Sequence, residues 1–91
     1  MQVNFIKLVH FTRLIKAGGR LREFNFRKLR GQEPETFTVD TVDDRGNRFL
    51  FRMQKNGANQ WSIIPQMLPK WIPENEIKLH EAIEDELHNI S

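Results

Sequence analysis

The chain has no cysteine, and that absence removes disulfides, thiolate nucleophiles and Cys-ligated zinc together. It agrees with a reducing compartment, and a cytoplasmic location is expected. Serine is nearly missing too: only Ser62 and Ser91 occur, neither in a Gly-x-Ser-x-Gly elbow nor beside a histidine in sequence. Long apolar runs are also lacking. Lys7, His10, Arg13 and Lys16 interrupt the most apolar stretch at three-residue intervals, which excludes a spanning helix of about 20 residues and the unbroken core of a secretory signal. No membrane partner is expected. Residues 1–22 carry no acid and so have some character of an organelle-targeting segment, but serine is scarce there and arginine numbers only three.

Other chemical signatures are incomplete. Gly18-Gly19-Arg20 has neither the glycine spacing nor the Lys-Ser/Thr of a phosphate loop. Asp43-Asp44-Arg45-Gly46-Asn47 lacks the alternating oxygen ligands and closing glutamate of a calcium loop, so it reads as a turn. The acid pairs Glu33/Glu35 and Asp43/Asp44 lie in loops, where carboxylates are usually solvated. His80, Glu84 and His88 fall four residues apart on one helical face. With no cysteine in the chain, a solvated polar face accounts for them better than a metal site does. The sequence thus offers no catalytic residue, no metal site and no cofactor, and binding ranks above catalysis.

What is present suffices for one modest core. Ninety-one residues with 38% hydrophobic content, seven Phe and two Trp are expected to form a single small domain over residues 1–91. The net charge of +2 conceals a segregation. Residues 1–31 carry eight cations against Glu23 alone, residues 32–71 balance, and residues 72–91 carry six acids against Lys78.

Periodicity sets the expected elements. Phe5, Leu8, Val9, Thr12 and Ile15 form one stripe over 4–17, and Gly18-Gly19 supplies a helix stop, so an N-terminal helix is expected there. The β-branched Val3, Ile6, Val9, Thr12 and Ile15 leave a strand open as the alternative. From Arg20 to Ile64 the period is two, with turns near Gly31–Pro34, at Asp43–Asn47 and at Asn56-Gly57, which predicts four antiparallel strands. Pro65, Pro69 and Pro73 bar ladder pairing, so 65–72 is read as an irregular connector. Pro73, Glu74 and Glu76 suit a helix start, and Leu79, Ile83, Leu87 and Ile90 give that helix an apolar face. The expected fold is α+β: a four-stranded antiparallel meander with an N-terminal and a C-terminal helix packed on one face. Its core should hold Phe24 or Phe26, Phe37, Val39, Phe49, Phe51, Trp61, Ile63, Leu79, Ile83 and Leu87.

Two binding surfaces follow. Met67, Leu68, Trp71 and Ile72 make the connector apolar enough for an interface, which favours a non-catalytic protein-interaction module whose partner is another protein or a second copy. The alternative partner is a single-stranded nucleic acid or other polyanion, bound by Arg20, Arg22, Arg27, Lys28 and Arg30 with Phe24 and Phe26 as stacking surfaces. Core phenylalanines and internal pairing of the basic residues with Glu84, Asp85 and Glu86 explain the same features more simply, so nucleic acid ranks second.

Overall fold

Gly18 and Gly19 both have positive φ, 63° and 82°. That pair is the backbone of a two-residue type I′ hairpin turn, in which both central residues are left-handed, and it joins strand to strand. β1 (His10–Ala17) therefore runs antiparallel to β2 (Arg20–Lys28), with Ala17 opposite Arg20 and His10 opposite Arg27. The structure is a computed structural model that describes residues 9–31 and 33–89. Within those residues the expected N-terminal helix is replaced by a strand. The part of that expectation covering residues 4–8, and Ile90 at the end of the last helix, lie outside the described residues.

β3 (Thr36–Val42), β4 (Arg48–Lys55) and β5 (Trp61–Ile63) complete a five-stranded sheet in the order β1-β2-β3-β4-β5. Among the described residues a single α-helix follows: a 3-10 turn at Pro73–Asn75 leads directly into α1 (Glu76–Asn89). The expected two-helix, four-strand arrangement is thus corrected to an antiparallel sheet curled into a half-barrel with one C-terminal helix. Among the described residues, no helix is long and apolar enough to cross a membrane.

The turns follow local chemistry. At Asp43–Asn47, Gly46 takes positive φ, and the Asp43 carboxylate accepts from the Arg45 amide (2.9 Å), the Asn47 amide (2.8 Å) and Asn47 Nδ2 (3.0 Å). The Asn47 side chain above all, with these amides, holds the Asp43 carboxyl below its usual range. Its stabilisation is present above the unfolded carboxyl range and is lost as the pH falls through the lowered folded value. At Asn56–Gln60 the left-handed residue is Asn59 (φ 62°) rather than Gly57, and Asn56 Oδ1 accepts from the amides of Ala58 and Gln60. The asparagine side chain shapes that turn.

The concave face is the core. Phe11, Ile15, Phe24, Phe26, Phe37, Val39, Phe51, Met53 and Trp61 point inward from the strands, and Leu79, Ala82 and Ile83 close over them from α1. Phe11 stacks on Phe26 at 4.6 Å between centroids, while Phe37 meets Trp61 edge-on at 5.0 Å. Trp61 Nε1 is buried without an acceptor among the described residues. Phe49, Ile63 and Leu87 are partly buried at the rim of the core.

Candidate functional site

The apolar connector is largely inside the molecule. Ile72 is fully buried, and Leu68 and Trp71 pack against the core. The Trp71 ring stands edge-on to Phe24 (6.4 Å) and to Phe49 (6.2 Å), and the Arg22 guanidinium lies over its face at 4.1 Å. Gly18 leaves room for it, since a Cβ there would come within 3.1 Å of the indole. Of the four connector residues, Met67 alone projects into solvent, at 96% exposure. The connector covers one end of the half-barrel.

The five basic residues of the alternative surface are dispersed. Arg22 is on the concave face, with Nε donating to the Ala17 carbonyl (2.7 Å) and a terminal nitrogen to Asp44 Oδ1 (3.0 Å). Arg20 pairs with the same carboxylate (3.0 Å), and Lys28 pairs with Glu35 (3.4 Å). Arg30 lies in the loop after β2, and Arg27 stands on the convex face. Phe24 and Phe26 face the other way and have no exposed surface, so base stacking on them is unavailable. The acidic helix is engaged from within the chain: Arg13 reaches Asp85 (3.3 Å) and Glu86 (2.9 Å), and Lys55 reaches Glu84 (3.7 Å). The pairing partners are therefore Arg13 and Lys55 rather than the residues of β2.

The two edges of the sheet differ sharply. β5 is three residues long, and the amide of Ile64 just beyond it bonds inward to the Arg52 carbonyl (2.9 Å). By alternation, the amides of Trp61 and Ile63 point outward. Both are taken up by α1: the Trp61 amide donates to His80 Nδ1 (2.9 Å) and the Ile63 amide to Glu76 Oε2 (2.8 Å). His80 and Glu76 thereby act as edge caps, a role the periodicity of α1 does not reveal.

At the opposite edge, β1 is eight residues long. The Lys28 amide bonds the Val9 carbonyl (3.0 Å), so the odd-numbered residues of β1 face β2. His10, Thr12, Leu14 and Lys16 present their amides and carbonyls outward, and among the described residues no strand pairs with them. A cleft of about 500 Å3 separates this edge from α1, with Arg13 and Ile15 on one side and Ala82 and Asp85 on the other. On the convex surface Leu14 and Leu21 are 65% and 66% exposed. They are diagonal neighbours, because Leu14 faces Glu23 and Lys16 faces Leu21 across the hairpin. Comparison with protein-family models, with curated proteins and with solved structures returns no match.

Proposed function

We propose that this chain is a non-catalytic protein-interaction module that pairs with a second copy of itself by strand addition at β1. The observation that carries the reading is the asymmetry of the edges: β5 is short and capped by two side chains, whereas β1 is long and offers a row of outward backbone groups. A strand edge of this length that no described strand pairs is a template for another strand, and folded proteins either blunt such an edge or use it.

The sequence of β1 favours its own copy. In antiparallel pairing about a two-fold axis at Leu14, Leu14 of one copy meets Leu14 of the other, and Thr12 meets Lys16. This register uses the even-numbered residues, whose backbone groups face outward. On the convex side Leu21, Leu14 and their symmetry mates line up into one apolar strip, and on the concave side Ile15 falls opposite Arg13 without facing a like charge. Such an interface is isologous and closes on itself. The connector is set aside as the contact surface because Trp71 and Ile72 already serve the core.

Leu14→Pro tests the proposal. Proline removes an outward amide while leaving the β1–β2 ladder intact, and edge strands tolerate it in that position. Light scattering should give the wild type twice the 10.8 kDa chain mass and the variant the monomer mass, with unchanged circular dichroism. A wild type that stays monomeric at high concentration, or a folded variant that still dimerises, contradicts it.

A further inference from the structure

The convex face carries a row of polar side chains, two of them arginines, that the core and the β1 edge do not explain. His10 lies opposite Arg27, Arg27 opposite Thr38, and Thr38 opposite Arg52. The four side chains stand side by side across β1, β2, β3 and β4. All four project outward, because Phe11, Phe26, Val39 and Phe51, one position along each strand, are buried on the concave side. Adjacent strands lie about 4.8 Å apart, so Arg27 and Arg52 flank Thr38 with about 10 Å between their backbones, a gap two arginine side chains can close over one anion.

These arginines are electrostatically spare. Arg13, Arg20, Arg22 and Arg48 each have a carboxylate partner, whereas Arg27 and Arg52 have none among the described residues. The acid in the neighbouring row is engaged: Asp40 accepts from Asn25 (3.0 Å) and from Arg48 (3.4 Å), and Thr12 donates to the Asn25 amide oxygen (2.6 Å). Beside Arg52, a depression of about 410 Å3 is bordered by His10, Arg27, Thr38 and Leu50 together with the paired Asp40 and Arg48.

We infer that the row formed by His10, Arg27, Thr38 and Arg52 binds the phosphate backbone of a single-stranded nucleic acid. Guanidinium forks match phosphate oxygens two at a time, and the exposed His10 adds a polar ring on the same line, while the half-buried Thr38 hydroxyl donates to the Arg27 carbonyl (3.3 Å). A line of donors spanning four strands suits a chain of charges better than an isolated phosphate. Asp40 in the adjoining row and Glu23 one row further disfavour a second backbone alongside, which points to one strand rather than a duplex. The strand positions of this face carry no aromatic side chain, so contact is to phosphate and is indifferent to base sequence. The site is independent of the β1 edge, since strand addition leaves the convex face open.

Fluorescence anisotropy with a labelled oligothymidylate and the whole chain decides the matter. Each phosphate neutralised on a single strand contributes about −0.7 to the slope of log affinity against log salt, so the two arginines give a slope of about −1.4. The Arg27→Ala/Arg52→Ala variant, altered only at exposed positions and checked for folding by circular dichroism, should bind at least about tenfold more weakly at low salt and lose that slope. Arg45→Ala, in the Asp43–Asn47 loop, should bind as the wild type does. No binding at low salt, a double variant indistinguishable from wild type, or equal affinity for duplex DNA or polyglutamate overturns the inference.

Discussion

Arg22 stands at an inward position of β2, between the hairpin turn and Phe24, where an alternating strand would place an apolar residue. Its charge is accommodated by three fixed partners: the Ala17 carbonyl, the Asp44 carboxylate and the face of Trp71. Removing it leaves an indole without its covering plane and a space at the end of the core. Arg22→Ala should therefore cost about 2–4 kcal/mol in chemical denaturation, and lysine, which lacks the planar fork, should not restore it. Arg20 binds the same carboxylate from solvent, with a 61% exposed side chain, and Arg20→Ala should cost less than about 1 kcal/mol. Equal losses would mean that the buried contacts of Arg22 add nothing. Trp71 belongs to the same cluster, so Trp71→Ala should lower stability by about 3–5 kcal/mol. The apolar character of the connector was legible in the sequence, but its direction was not. The arginine that receives Trp71 lies forty-nine positions earlier, and no local pattern links them.

At the scale of elements, α1 serves the sheet twice. Leu79, Ala82 and Ile83 cover the concave face, while Glu76 and His80, four residues apart, close the β5 edge. His80→Leu removes the acceptor of the Trp61 amide and should cost about 1–3 kcal/mol, with faster hydrogen exchange at that amide in NMR spectra. Unchanged exchange would show that the cap is dispensable. The strands β2 to β5 were legible because Phe24 and Phe26, then Phe37 and Val39, then Phe51 and Met53 alternate cleanly and are separated by turn residues. β1 was not, for two physical reasons. A glycine pair serves equally as a helix stop and as a type I′ turn. Arg13 also interrupts the apolar alternation of Phe11, Ile15 and Ala17, and it can do so because Asp85 and Glu86 meet it from the far end of the chain. The convex row was hidden in the same way: Arg27 and Arg52 are neighbours only through the registers of two hairpins.

For the whole molecule, the opposed charges of the two ends are partly settled within one chain, where the basic β1 meets the acidic α1. What remains outward is an edge and a face. The edge offers backbone groups and the face offers arginines with no carboxylate partner among the described residues, so a pair of copies would present one continuous sheet with a pair of such arginines from each. The central claim, that β1 is the pairing edge, is tested most directly by amide hydrogen exchange of Thr12, Leu14 and Lys16 over a range of protein concentrations. These amides have no strand partner among the described residues, whereas those of Arg13 and Ile15 bond β2. If β1 pairs with a second copy, the three even-numbered amides are protected at high concentration and lose that protection on dilution, while Arg13 and Ile15 stay protected throughout. Rapid exchange of Thr12, Leu14 and Lys16 at every concentration would contradict the account.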